Sequence, residues 1–341
     1  MTQQPASPRL TIVIPTLNRA HCVGRAIESA LAQVGADIEV IVSDNGSSDG
    51  TAAVLARYDD PRLRKYRHET TIPPQAHGNF LLDNARGEFF LGLSDDDYID
   101  PDFARLAINL YERRPDLSFL YAATTMHIAD VDLPALHGPE VEGSLEFIAA
   151  FFGLLRNVCW CACVTRVADL RAVGPIPPDR FIGDMFYWCK IAFRGPVGCI
   201  QQPVSHYTFM TADNMTTGIG VLAWAQEVQR LANESLELFV RNSSDKESGE
   251  RLRHAMARFV ALSVASQFVW TAVRGAPKRQ LAIATFKAQP YYRHLRAVWP
   301  RIVASLLVPR GILRRMVLRE AAKLAAANKR TISNWRRHRL D

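Results

Sequence analysis

The first third of the chain alternates short apolar runs with segments of helical periodicity, and this alternation constrains the fold more than any other feature. LTIVIPT (10–16), IEVIVSD (38–44) and EFFLGLS (88–94) are rich in aliphatic and aromatic residues, as in strands buried on both faces. Helical patterns fill the intervals and resume at 100–114. Strands that alternate with helices pair in parallel. We therefore predict an α/β fold with a parallel sheet and helices on both of its faces.

Each apolar run ends in a polar cluster, and the three clusters are PTLNR (15–19), SDNGSSDG (43–50) and SDDD (94–97). In parallel sheets, ligands bind beyond the carboxyl ends of the strands, so the clusters are expected to meet there. The three adjacent aspartates repel one another, and burial raises the cost of each charge unless a cation offsets it. Oxygen-rich sites of this kind suit Mg²⁺ or Mn²⁺, which in turn bind phosphate oxygens. We favour a metal–phosphate site over a solvated turn.

Composition narrows the class of protein. The chain is 48% hydrophobic and 22% charged, its start has no apolar core of signal-peptide length, and no run reaches the ~18–20 apolar residues of a spanning helix. Six cysteines without a secretory signal are expected to be reduced thiols. No Gly-x-Gly-x-x-Gly follows the first strand, which disfavours a dinucleotide-binding dehydrogenase. We expect a cytoplasmic protein.

The net charge of +7 is concentrated at the C-terminal end. Residues 287–341 contain 14 Lys and Arg against two acids, whereas the rest of the chain is mildly acidic. Apolar and basic residues at helical spacing can lie on an anionic bilayer, at about 1 kcal/mol per basic residue near its surface. We predict an anionic membrane surface as the partner of 287–341; a solvated helical face is the alternative. We predict no nucleic-acid partner, because the segment lacks interleaved aromatic residues.

Four ordered motifs resemble those of a known family: IVIPTLNR (12–19), VIVSDNGSSDGT (40–51), GNFLLDNARGEFFLGLSDDDYIDPDF (78–103) and RFIGDMFYWCKIAFRG (180–195). Over about residues 9–215 the chain is similar to family-two inverting glycosyltransferases of the GT-A fold. In particular it resembles the abequosyltransferase-like branch, which acts in bacterial surface polysaccharide synthesis.

The resemblance implies a domain organisation. A GT-A domain, with a mixed, mainly parallel sheet, is expected over residues 1–218. Its nucleotide-sugar half lies at about 9–125 and its acceptor half at about 126–218. A helical, basic C-terminal region follows at 219–341.

The resemblance also implies which residues contact a nucleotide diphosphate sugar: Pro15, Thr16, Asn18, Arg19, Asp44, Asn45, Asn79 and Asp95. Asn45 replaces an acid that often binds uracil in the family. Because an amide both donates and accepts, cytosine, uracil and thymine stay open as the base, and the donor is of UDP, CDP or dTDP type. Thr16 and Asn18 could also cap a helix.

For the metal, Mn²⁺ or Mg²⁺, the resemblance indicates Asp96 as the main ligand, supported by Asp97. His206 is either a further ligand or an ordinary strand residue. A segment that could close on the diphosphate is expected at 204–218.

For the catalytic base, the resemblance indicates Asp184, with Gly183 in place of the first acid of the family's pair. The alternative is a helix cap. Neighbouring aromatic residues could exclude water and raise the pKa of Asp184 towards a useful range.

The predicted function is a metal-dependent inverting glycosyltransferase that moves a hexosyl or deoxysugar group to a hydroxyl of a lipid-linked glycan. It would act in the synthesis of an O-antigen-like surface polysaccharide, as a peripheral protein on the inner face of the cell membrane. The alternative is a catalytically degenerate nucleotide-binding or membrane-tethered scaffold module.

Overall fold

A computed structural model of the chain describes residues 7–209, 219–243, 245–292 and 295–337. These residues form two compact units. Unit 1 comprises residues 7–125, 137–147 and 157–208, and unit 2 comprises 126–136, 148–156 and the described residues from 209 onward. Unit 2 therefore includes residues 126–136, 148–156 and Phe209, which all precede the boundary predicted at residue 218.

The strands are β1 (Leu10–Thr16), β2 (Ile38–Asp44), β3 (Leu63–Arg67), β4 (Phe89–Gly92), β5 (Tyr98–Ile99), β6 (Phe119–Ile128), β7 (Val131–Pro134), β8 (Val141–Glu142), β9 (Cys163–Arg166) and β10 (Val197–Phe209). The helices are α1 (Val23–Leu31), α2 (Thr51–Leu55), α3 (Pro74–Asn84), α4 (Phe103–Arg113), α5 (Ser144–Phe152), α6 (Val167–Val173), α7 (Gly183–Ile191), α8 (Val221–Asn242), α9 (Lys246–Val273), α10 (Lys278–Tyr292), α11 (Trp299–Leu307) and α12 (Arg310–Arg337).

The sheet of unit 1 is parallel on one side and antiparallel on the other. β3, β2, β1 and β4 lie in that order and run parallel. β9 pairs antiparallel with β4 and with β6, and β10 pairs antiparallel with β5 and β8. The predicted mixed α/β sheet is confirmed, and its parallel part is confined to the segment whose strands alternate with helices.

The core of unit 1 explains why these segments become strands. β2 is buried along its whole length, and β1 is buried except at Pro15. On α1, Val23, Ala26, Ile27 and Ala30 are fully buried, so the helix covers the sheet with the apolar face that the sequence predicts.

Gly92, at the end of β4, gives space to an indole ring. A Cβ atom at this position would lie 1.9 Å from Trp160, which therefore packs directly against the backbone of the strand. Trp160 also contacts Phe90 edge to face, with ring centroids 6.4 Å apart. Because no side chain larger than hydrogen fits, Gly92 determines the position of Trp160 beside the sheet.

Unit 2 is helical and is built around α9, which packs against α8, α10, α11 and α12. Phe268, Val264 and Ala265 of α9 are fully buried. Among the described residues, one helix, Glu247–Val273, is long and apolar enough to cross a membrane, and 50% of its most apolar window is buried inside the structure. The buried core helix of a helical unit can have the same length and composition as a membrane span.

The end of β6 and β7 form a hairpin in unit 2, and α12 packs against it. Ile128 and Leu133 of the hairpin form an apolar cluster with Ala321 and Ala325 of α12. The Asn328 side chain also donates a hydrogen bond to the β7 carbonyl of Pro134 over 2.8 Å. The C-terminal helix is therefore part of the packed unit.

Replacing Gly92 with alanine should lower the free energy of unfolding by about 1–3 kcal/mol, because the Trp160 ring must move out of a packed position. Chemical denaturation measures this change. Gly311→Ala is the matched control: nothing lies within 4 Å of the added methyl, and alanine is the better helix former. Equal stability of the two variants would contradict the close packing of Gly92 and Trp160.

Candidate active site

The polar clusters of unit 1 lie together at the carboxyl end of the parallel strands, as predicted. Thr16 and Asp44, the last residues of β1 and β2, are opposite each other in register. The Asn45 N–H donates to the Thr16 carbonyl over 2.8 Å. Because β4 pairs with the other side of β1, residues 94–97 begin at the same edge.

Asn18 joins the loop after β1 to the loop after β2. Its φ is 56°, a left-handed conformation that asparagine adopts more readily than most residues. The Asn18 N–H donates to the Ser47 hydroxyl, and its side-chain oxygen accepts from the Ser48 N–H, both over 2.8 Å. The next N–H, of Arg19, donates to the Thr51 hydroxyl over 2.9 Å. The predicted contacts of Pro15, Asn18 and Arg19 with a nucleotide stay predictions.

Asp44 and Asn45 hold the residues around them. Asp44 is fully buried and accepts a hydrogen bond from the Ser47 N–H over 2.9 Å, and Arg67 lies 3.4 Å from its other oxygen. The Asn45 amide donates to the Ile72 carbonyl over 2.9 Å and accepts from the Ile72 N–H over 3.0 Å. One N–H and one lone pair of this amide remain for a ligand.

The acidic triplet is buried: Asp95, Asp96 and Asp97 are 8%, 6% and 0% exposed. Burial raises the pKa of Asp95 to about 6, although the Thr16 hydroxyl and Arg19 favour the charged form. The Arg19 guanidinium lies 3.6 Å from the Asp95 carboxylate. Burial, and then the charge of Asp96, raise the pKa of Asp97 to about 8. Adjacent carboxylates at this depth favour a bound cation.

Sequence reasoning missed Arg25 of α1, which fixes the triplet. Its guanidinium donates to the Asp96 backbone carbonyl and, over 3.0 Å, to the Thr208 hydroxyl. It lies 4.6 Å from the centroid of the Tyr98 ring. The Thr208 N–H in turn donates to Asp97 over 2.7 Å, so the triplet is joined to the end of β10. The sequence gives no signal for Arg25, because its two acceptors are 71 and 183 residues away.

His206 of β10 lies next to this network. Its Nε2 is 3.1 Å from the Asp100 carboxylate, and its ring stacks on Tyr98 with centroids 4.2 Å apart. These contacts use one ring nitrogen and one ring face, and a metal-binding role for His206 stays a prediction. The segment predicted to close on the diphosphate falls largely at 210–218, outside the described residues.

Asn79 of α3 contacts the backbone of the segment before α7. Its amide donates to the Ile176 carbonyl over 3.1 Å and accepts from the Ile176 N–H over 2.8 Å.

His77, two residues before Asn79, is buried. This burial and then the neighbouring His68 lower the pKa of His77 to about 4. His77 is therefore neutral near pH 7 and offers no positive charge to a diphosphate.

Asp184 lies in the first turn of α7, whose cap position is Ile182 without a side-chain hydrogen bond. The alternative of a helix cap at Asp184 therefore does not match the start of the helix. Burial raises the pKa of Asp184 to about 6. Asp184 and Asp97 both lie close enough to Cys159 for their charges to raise the pKa of its thiol, to which burial contributes most. The predicted base and Asp97 of the triplet thus both lie within electrostatic reach of Cys159.

The carboxylates of this site fit a metal ion that is bound partly by the protein and partly by the phosphate oxygens of a substrate. No three His, Cys, Asp or Glu side chains form a preformed metal site within the described ranges. Mg²⁺ in phosphate sites takes one or two carboxylates and completes its shell with phosphate oxygens and waters. The buried carboxylates at 95–97 match that pattern.

The strands and loops that carry these clusters match a known family. Residues 11–134 match the model of glycosyl transferase family 2. This segment belongs to that family. The motif-based prediction is confirmed at the level of the family, and the branch within it stays a prediction.

Two relatives match the family-two segment over part of their length. The succinoglycan biosynthesis protein ExoO of Rhizobium meliloti is 40% identical over 101 residues, which is 30% of this chain and 29% of that protein. The GalNAc(5)-diNAcBac-PP-undecaprenol beta-1,3-glucosyltransferase of Campylobacter jejuni is 39% identical over 93 residues, 26% of this chain and 30% of that protein. The chain thus matches less than a third of the length of either relative.

Two solved structures resemble almost the whole chain. TarS 1–349 of S. aureus in complex with UDP-GlcNAc has a TM-score of 0.59 at 16% identity, covering 86% of this chain and 92% of that one. The mannosyltransferase PcManGT of Pyrobaculum calidifontis in complex with GDP-Man and Mn2+ has a TM-score of 0.53 at 19% identity, covering 88% and 86%. At these identities the likeness shows the fold alone, and it confirms the predicted GT-A-like fold.

Asn45→Ala should lower the free energy of unfolding by about 1–3 kcal/mol, because both backbone groups of Ile72 lose their partner. Urea denaturation measures the change. Ser48→Ala, in the same turn but exposed, should stay within about 0.5 kcal/mol of the unsubstituted protein. If Asn45→Ala were as stable as Ser48→Ala, the amide would not be what holds the segment after β3.

Proposed function

We propose that the chain is a metal-dependent inverting glycosyltransferase. It transfers a sugar from a nucleotide diphosphate donor to a hydroxyl of a lipid-linked glycan acceptor in surface polysaccharide synthesis. The observation that carries this proposal lies in unit 1, where a buried acidic triplet follows β4 at the carboxyl edge of the parallel strands. A partly buried acid, Asp184, acts electrostatically on the same thiol, Cys159, as Asp97 of the triplet.

The donor would bind along the carboxyl edge of the parallel strands. Asp95 faces Thr16 and Arg19 and would bind the ribose, and Pro15 and Asn45 would lie beside the base. Asn18 and Asn79 use their amides to fix loops, so their contribution to donor binding is to hold the site in shape. The base stays open among cytosine, uracil and thymine, because TarS, with the same fold, was solved with UDP-GlcNAc and the mannosyltransferase with GDP-Man.

A divalent cation would be held by Asp96, with Asp97 in support. When bound, it supplies positive charge that stabilises the diphosphate leaving group. Arg25 keeps the Asp96 backbone in place, and Thr208 orients Asp97, so the chain fixes the ligands before the metal arrives. The Pyrobaculum calidifontis mannosyltransferase, which has a similar fold, was solved with GDP-Man and Mn2+.

Asp184 would act as the base. The acceptor hydroxyl attacks the anomeric carbon, the bond from that carbon to the diphosphate oxygen breaks, and the hydroxyl proton moves to the Asp184 carboxylate. Attack from the face opposite the leaving group inverts the configuration. The raised pKa, about 6, makes Asp184 a better proton acceptor than an exposed aspartate and leaves it ionised at pH 7.

The acceptor and the location follow from unit 2 and from a relative. The name of the Campylobacter jejuni relative specifies an undecaprenol diphosphate acceptor, and residues 287–341 are strongly basic. Both support a peripheral protein on the inner face of the cell membrane, where a lipid-linked glycan is within reach.

Asp184→Asn should lower kcat by about 10²–10⁴-fold while donor binding stays unchanged, because the amide cannot accept the proton. In the unsubstituted protein, kcat should fall as the pH drops through about 6, since protonation of Asp184 removes the base. Steady-state transfer assays over a pH series measure both effects.

The control for this variant is Asp179→Asn, an exposed acid in the same segment, which should keep its activity and pH profile. Full transfer activity in Asp184→Asn would rule out Asp184 as the base. No transfer by the unsubstituted protein, with donor binding intact, would favour the nucleotide-binding scaffold.

Asp96→Asn should remove the metal dependence of donor binding. The test is a thermal-shift series with UDP, CDP, dTDP and GDP, each with and without Mn²⁺. We expect stabilisation by one nucleotide only with metal in the unsubstituted protein, and the loss of that difference in Asp96→Asn. Asp102→Asn, an exposed acid six residues away, should behave as unsubstituted. A metal effect that survives in Asp96→Asn would contradict the assignment.

A further inference from the structure

The two most exposed large apolar side chains in the described part of the chain lie on consecutive helices of unit 2. Phe286 of α10 is 81% exposed, and Leu307 of α11 is 75% exposed. Ile283 and Val303, one turn away on the same helix faces, are also exposed. Each helix therefore has an apolar stripe that the unit itself does not cover, and such stripes mark interaction surfaces.

The two stripes belong to neighbouring helices. α10 and α11 pack against each other and against α9. The Lys278 amine at the start of α10 donates to the Ser305 and Val308 carbonyls at the end of α11, over 2.8 and 3.2 Å. Leu281 of α10 and Ile302 of α11 are buried, so the stripes face outward.

Basic residues are frequent in the helices that carry the stripes and in the helix that follows. Residues 278–337 contain 15 Lys and Arg and a single acid, Glu320. On α10, Arg279 and Lys287 lie one turn on either side of Ile283. At the start of α12, Ile312 and Met316 are exposed among further arginines.

The combination of exposed apolar side chains and positive charge indicates which kind of partner binds this surface. A second copy of the chain would bring two positive surfaces together, and like charges oppose that contact. An anionic bilayer attracts the lysines and arginines and also accepts apolar side chains at the boundary between headgroups and acyl chains.

We propose that Phe286 and Leu307 are the apolar anchors with which unit 2 inserts into an anionic membrane, and that the basic residues of α10–α12 hold it at the surface. The proposal deepens the proposed function, on which it rests for the lipid-linked acceptor. It adds α10 to the membrane-binding region predicted at 287–341.

The experiment is co-flotation of the full chain with vesicles of phosphatidylcholine, with and without phosphatidylglycerol. Partitioning should require phosphatidylglycerol, and Phe286→Ser and Leu307→Ser should each lower it about tenfold, since each removes one inserted apolar side chain. Val240→Ser is the matched control, because Val240 is 52% exposed on α8 of the same unit. It should leave partitioning unchanged.

A second measurement covers the case in which a serine variant fails to fold. In Phe286→Trp, the added fluorescence should shift to the blue on anionic vesicles and be quenched by brominated lipids, whereas Val240→Trp should show neither effect. Unchanged partitioning of both serine variants, or no quenching of Phe286→Trp, would overturn the proposal. The proposal would also be overturned if sedimentation without vesicles showed a dimer of the unsubstituted protein that Phe286→Ser disrupts.

Transfer to a water-soluble acceptor without vesicles separates this inference from the proposed function. Phe286→Ser should transfer sugar at the unsubstituted rate there. Suppose that neither the unsubstituted protein nor any variant transfers sugar, while partitioning follows the expected pattern. The proposed function is then wrong, and the proposed membrane-binding surface is supported. Deletion of residues 287–341 is a poorer test, because it would also strip α12 from the hairpin cluster at Ile128 and Leu133.

Discussion

Desolvation of three adjacent carboxylates is the constraint on which the arrangement of unit 1 depends. Each aspartate is held by a different part of the chain: Asp95 by the loop after β1, Asp97 by the end of β10, and the Asp96 backbone by Arg25 of α1. Separate partners keep the three groups from relaxing together into solvent. The positions of α1 and of the end of β10 are thus coupled to the acidic triplet. A shift of either element should move the aspartates that it contacts.

Two asparagines of unit 1 hold irregular backbone through paired hydrogen bonds. Asn45 pairs with both backbone groups of Ile72, and Asn79 pairs with both backbone groups of Ile176. An amide side chain offers a donor and an acceptor at the spacing of a peptide group, so it can complete the hydrogen bonding of irregular backbone. Segments without regular structure thereby reach fixed positions near the site, which lowers the cost of ordering them when a ligand binds.

The sequence predicts the parts of this structure that rest on periodicity. β1, β2 and β4 are continuous apolar runs, and α1 and α4 have amphipathic patterns, so their existence and their parallel pairing can be inferred. The sequence does not predict β3, because LRKYR at the sheet edge is charged and only partly buried. Nor does it predict β9, because a run of four residues gives no pattern. Motif order makes Asp96 and Asp184 candidates for the metal ligand and the base, whereas Arg25 acts through tertiary contacts that no local pattern encodes.

The packing of α12 on the hairpin of β6 and β7 bears on how the protein is made. Asn328 and Pro134 are 194 residues apart, so the hairpin emerges from the ribosome long before its covering helix. Ile128 and Leu133 then stay uncovered until α12 has been synthesised, and exposed apolar surface promotes aggregation. Unit 2 can reach its native packing only after α12 has left the ribosome, and until then the uncovered hairpin should be bound by chaperones.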